Sequence, residues 1–130
     1  MSEKSATTEQ AREQMERNTL RLLCSLLVRP GTRIEICRLL HPFDFLDALR
    51  RTVFEEIRAA GPIESKQLRA ALPARVKSHG YADFSLDRLL APKLASETEI
   101  EQLFESTLLL IKLGGSADPT LIESGADEQN

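Results

Sequence analysis

An all-α fold, one helical domain of about six helices, is the class this sequence predicts, and three observations predict it. Apolar residues recur at helical spacing in successive stretches. Proline, glycine and capping residues punctuate those stretches at helix-like lengths. No segment alternates polar and apolar residues with the period of two that a half-buried strand requires. The expected organisation is a frayed N-terminus over residues 1–7, a helical body over 8–113 and a disordered acidic tail over 114–130.

The first helix starts at "TEQAREQMERN" and continues into Leu20, Leu23, Cys24 and Leu27, spaced i, i+3, i+4, i+7 as one buried face. Pro30-Gly31 is read as its end, and Thr32 as the cap of a shorter second helix carrying Ile34, Ile36, Cys37 and Leu40. "LLHPFDFLDALRRTVFEEI" follows. Pro42 stops the second helix, Asp44 is placed as the N-cap of the third, and Asp47 lies near its positive end. Leu49, Val53, Phe54 and Ile57 then form an apolar stripe, and Gly61-Pro62 closes the helix. The five phenylalanines, all in apolar settings, are read as core.

"ESKQLRAAL" reads as a short fourth helix with Pro73 beyond it, and "PARVKSHGYADF" as loop. Ser85 caps "LDRLL", which Pro92 closes. Ser96 and Glu99 make a capping box that opens a long last helix, running to Leu113 and stopped by Gly114-Gly115. Residues 108–111, "LLLI", follow Ile100, Leu103 and Phe104, so apolar side chains cover more than one face of this helix. Two readings fit: a nearly engulfed core helix, or a helix that packs its own domain on one side and a partner or second copy on the other.

Several function classes find no support. There is no G-x-x-x-x-G-K-[ST] or G-x-G-x-x-G loop to cradle phosphate. Cys24 and Cys37 sit among leucines and isoleucines and read as small buried hydrophobes of a reducing compartment, and His41 and His79 are at no zinc spacing. His79 near Asp83 lacks a third group for acid–base work, and the adjacent Glu55 and Glu56 point in different directions on a helix. The chain is therefore expected to be non-enzymatic, with no cofactor and no metal.

The tail holds Asp118, Glu123, Asp127 and Glu128 and no base, within a net charge of −3. Without those four of the 20 acidic residues, the body carries 17 basic side chains against 16 acidic ones, near neutrality. That balance, and the lack of tryptophan, argue against direct nucleic-acid contact. A helix–turn–helix in "IESKQLRAALPARVKSHG" is weakened by Pro73. No apolar run reaches membrane-spanning length and no signal-peptide core is visible, so a soluble cytoplasmic protein is expected.

Taken together, Leu22, Leu23, Leu26, Leu27 and Pro30, then Ile36, Leu39 and Leu40, then Asp44-Phe45, Val53-Phe54, Ile57, Gly61 and Ile63 form a pattern. It resembles the N-terminal domain of DnaB-type replicative helicases and the related C-terminal helicase-binding domain of bacterial DnaG-type primases. The resemblance covers residues 20–68; from Pro73 onward it is loose and shortens the family's Gly-rich loop. It implies a non-catalytic interaction module of DNA replication, whose partner is a replicative helicase or primase, with homo-oligomerisation a further possibility. Leu23, Leu27, Leu40, Asp44, Phe45, Val53, Phe54 and Ile57 would be its core signature, and Leu109, Leu110, Arg50 and Arg51 the candidate partner-binding residues. The alternatives are a small helical DNA-binding or regulatory protein, or an oligomerisation domain with no replication role.

Overall fold

The computed structural model describes the backbone of residues 2–90 and 97–116, and the side chains of residues 9–90 and 99–113. All regular structure there is helical: α1 (Ser2–Leu23), α2 (Pro30–Arg38), a 3-10 turn (Pro42–Asp44), α3 (Ala48–Ala60), α4 (Ser65–Lys77), α5 (Leu86–Leu89) and α6 (Glu97–Ser116). α6 packs along α1 and touches the 3-10 turn, while α3 packs against α4, α1 and that turn. The shared core draws on Leu20, Leu22, Leu23, Leu40, Phe45, Val53, Phe54, Ile57, Leu68, Leu72, Leu103 and Leu110. Among the described residues no helix is long and apolar enough to cross a membrane.

α1 begins ahead of Thr8, and it ends at Leu23, not at Pro30. Tertiary partners explain the early stop. Arg69 Nε donates to the Cys24 carbonyl at 2.6 Å, and Ser65 Oγ donates to the Val28 carbonyl at 2.9 Å. Ser25 Oγ accepts from Leu27 N at 3.1 Å. With these groups satisfied by side chains, a turn costs no unpaired backbone polar group. Leu27, expected in the core, consequently leaves the helical face and is 61% exposed, and Leu26 is exposed beside it. Pro30 then opens α2 rather than closing α1, since its missing N–H costs nothing in a first turn. Arg29 is the residue at the N-cap and Thr32 lies inside the helix.

The 3-10 turn corrects the role given to Asp44. Its Oδ2 accepts from His41 N at 2.8 Å, while His41 Nδ1 accepts from Phe43 N at 3.2 Å. Asp44 therefore closes a reciprocal cap on this turn and is itself buried. Asp47 is the cap of α3, its Oδ2 accepting from Arg50 N at 2.9 Å. Gly61 ends α3 at φ +70°, a conformation that disfavours any side chain.

Pro73 does not end α4; the helix runs through it to Lys77. The proline removes one backbone bond and crowds the preceding turn, a cost of about 3 kcal/mol. Complete burial of Leu68, Leu72 and Val76, one turn apart along α4, offsets it. Ser85 caps α5 as the sequence suggests, accepting from Arg88 N at 3.2 Å. The Ser96 half of the predicted capping box, Pro92 and the tail beyond Ser116 lie outside the described residues. α6 continues through Gly114 and Gly115 rather than stopping at them.

Arg33 is the least expected core member, with only 1% of its surface exposed. Its guanidinium donates to the carbonyls of Gly61 (3.0 Å) and Ile63 and to Ser65 Oγ at 3.3 Å. Three neutral acceptors thus tie α2 to the α3–α4 connection.

Cys24 and Cys37 are buried free thiols. Burial pushes Cys24 up to about 12, with Arg69 and Arg33 opposing it in part and Cys37 adding to it. Burial likewise lifts Cys37 to about 11, against Arg33 and Arg58. In the unfolded chain both thiols ionise near pH 9, so above that pH the unfolded state loses protons that the folded state keeps. The stabilisation is complete below about pH 9 and fades as pH rises through 9–12, at up to about 1.4 kcal/mol per pH unit for each thiol. Urea midpoints at pH 8 and pH 10.5 should show this fall, and Cys37→Ala should make it shallower, leaving the share of Cys24. An equal fall in wild type and variant would refute the assignment to the thiol.

Candidate protein-docking surface

The surface feature that stands out is apolar. On α6, Leu103, Thr107 and Leu110 turn inward at i, i+4, i+7 and are buried, Thr107 Oγ1 returning its hydrogen to the Leu103 carbonyl at 2.8 Å. Asn18 Nδ2 donates to Ser106 Oγ at 3.0 Å across the α1–α6 contact. The rotation that places those side chains inward puts Leu108, Leu109 and Leu113 in solvent, the first two at 53% and 50% exposure. The helix is thus not engulfed: it has a buried apolar face and an exposed one.

A second group of exposed apolar residues flanks the 3-10 turn. Phe43 is 65% exposed and Leu46 63%. Phe43 is thus not core, unlike Phe45, which stacks on Phe54 with ring centroids 4.9 Å apart. Phe43 lies instead between His41, at 5.6 Å ring to ring, and Arg51, whose guanidinium carbon sits 4.6 Å above its ring. Leu46 and Leu113 line one groove of about 740 Å³ together with Arg12, Met15, Glu16 and Arg50.

Beneath that groove an ion network sets the geometry. Glu16, 1% exposed, holds Arg50 Nε at 2.8 Å on Oε1. Its Oε2 accepts from Leu46 N at 3.0 Å and lies 3.6 Å from Arg12 Nε. Arg12 Nη2 in turn donates to the Asp44 carbonyl at 2.8 Å. The segment between the 3-10 turn and α3 is fastened to α1 by one carboxylate and two guanidinia.

The predicted partner-binding residues therefore separate. Leu109 is on the surface. Leu110 is fully buried and belongs to the core, because successive residues on a helix are turned about 100° from one another. Arg50 is spent on Glu16, and Arg51 donates to the carbonyls of Phe45 (3.2 Å) and Leu46 (3.3 Å). Both arginines hold the surface in shape. Leu46 and Leu113 were missed; the only available signal was a large apolar residue beside a turn or at a helix end. Of the core signature, Leu23, Leu40, Phe45, Val53, Phe54 and Ile57 are buried, with Asp44 beside them; Leu27 is not.

His79 does not meet Asp83. Its Nε2 lies 2.7 Å from Glu56, which also takes Arg75 at 3.3 Å, forming a surface ion cluster. Among the described residues no group of three or more His, Cys, Asp or Glu side chains is placed to hold a metal ion. No protein family, characterised protein or solved structure matches this chain.

Proposed function

We propose that the chain is a non-catalytic protein-docking domain of the replication type, binding a replicative helicase or primase through the outer face of α6. The observation that carries this reading is the exposure of Leu108, Leu109 and Leu113 on a helix whose opposite face fills the core. Exposed apolar side chains gathered on one element mark interaction surfaces more often than scattered ones do. The sequence resemblance over residues 20–68 supplies the class of partner.

Leu109→Ser removes an apolar anchor without opening the core. The variant should keep wild-type circular dichroism and a urea stability within about 0.5 kcal/mol, as surface substitutions do. Its affinity for the cognate helicase or primase should fall about tenfold or more, because a few apolar anchors dominate such interfaces. Titration calorimetry measures this directly. Absence of binding by the wild-type domain at high micromolar concentration to both proteins would end the proposal, and so would unchanged affinity in the variant.

A further inference from the structure

Away from the α6 face, a cavity of about 370 Å³ opens between α1, α3 and residues 80–85. That volume falls within the range of small-ligand sites, about 300–1,000 Å³. Its walls combine two chemistries. Leu49, Phe84 and Leu89 supply apolar surface, and Phe84 and Leu89 are each only 8% exposed. Arg17 and Arg88 line it as well, each bringing a positive charge, with Tyr81 alongside.

Both arginines have bonding capacity to spare. The Arg17 side chain is 43% exposed, and its ion pair with Glu13 is stretched to 3.9 Å. Arg88 uses its backbone N–H to complete the Ser85 cap; among the described residues its guanidinium has no hydrogen bond or ion pair. Asp83 also lines the cavity, so its charge offsets one of the two positive ones. A lining of net charge near +1 suits a monoanion better than a phosphate dianion. The planar guanidinium fork matches a carboxylate in particular.

We propose that this cavity binds a carboxylate carried on a short apolar stem, the carboxylate on Arg17 and Arg88 and the stem against Leu49, Phe84 and Leu89. Such a group arrives either as a free short-chain acid or as a glutamate side chain of a peptide; the binding chemistry is the same.

The sequence supplies the probe. Tyr81 is the one tyrosine and there is no tryptophan, so the intrinsic fluorescence of the protein reports on this cavity. Titration with hexanoate should change that fluorescence saturably, and hexanamide should bind about tenfold or more weakly, since it keeps the stem and loses the charge. Arg88→Gln, on an exposed side chain, and Arg17→Gln should each weaken hexanoate about tenfold with the melting curve unchanged; if Arg17→Gln disturbs folding, Arg88→Gln alone decides. The blocked dipeptide Ac-Leu-Glu-NH2, run against Ac-Leu-Gln-NH2, separates the sources. Tighter binding of the glutamyl peptide than of hexanoate assigns the site to a partner's side chain, and the reverse order assigns it to a free acid. The proposal is overturned if neither hexanoate nor the glutamyl peptide gives a saturable change, if the amides bind equally well, or if Arg88→Gln leaves binding intact.

Discussion

Phe54→Ala should cost about 3–5 kcal/mol, the range for truncating a buried phenylalanine. Phe54 is fully buried, stacks on Phe45 at 4.9 Å and lies between Val53 and Ile57 on the inner face of α3. Arg58, one turn on, lies over the Phe54 ring with its guanidinium carbon 5.5 Å from the centroid. Truncation therefore opens a void in the core beside the Phe45 ring. A small domain has only about 5–15 kcal/mol to lose. Urea melts of the purified variant measure the loss directly; a value under about 1 kcal/mol would contradict this packing.

Glu16→Met should cost about 3–5 kcal/mol for a different reason. The substitution keeps the volume and removes the acceptor for Arg50 Nε and for Leu46 N. It leaves the Arg50 guanidinium, whose side chain is only 16% exposed, without a counter-charge. Removing one member of a buried pair costs that much because the remaining charge stays desolvated, whereas removing both is often close to neutral. Arg50→Met alone should also destabilise, and the double variant Glu16→Met/Arg50→Met should recover part of the loss, since Arg12 and Leu46 N still lack their acceptor. A double-mutant cycle by urea denaturation tests this. Additive losses would show that the pair does not act as a unit.

The contrast between these two sites explains what could be read in advance. Val53, Phe54 and Ile57 repeat at helical spacing, so the inner face of α3 was legible from pattern alone. Ser85 and Gly61 were legible because both partners of each cap lie within one turn. Asp44 and Asp47, by contrast, both precede α3 so closely that the pattern did not show which of them caps it. The larger errors fall where a distant partner decides. α1 stops at Leu23 because Arg69 and Ser65, far along the chain, take the carbonyls of the turn. α4 runs through Pro73 because its apolar stripe is buried by other helices. Glu16 and Arg33 are typical surface residues by composition, and only their partners from α3 and the α3–α4 connection make them core. At the docking surface, the apolar excess on α6 was visible, but the side that faces out depends on rotation about an axis that the adjacent Leu109 and Leu110 do not reveal.

The pairing of α1 with α6 has a consequence for the chain during its synthesis. α1 leaves the ribosome early, yet Leu20, Leu22 and Leu23 join a core that Leu103 and Leu110 help to complete. Translation at roughly 5–20 residues per second keeps α1 waiting for some seconds before its partner helix emerges. During that interval the apolar face of the first helix has no partner from α6 to cover it. Slowing elongation between α1 and α6 should therefore lower the yield of soluble protein, and matching the rate to helix delivery should restore it.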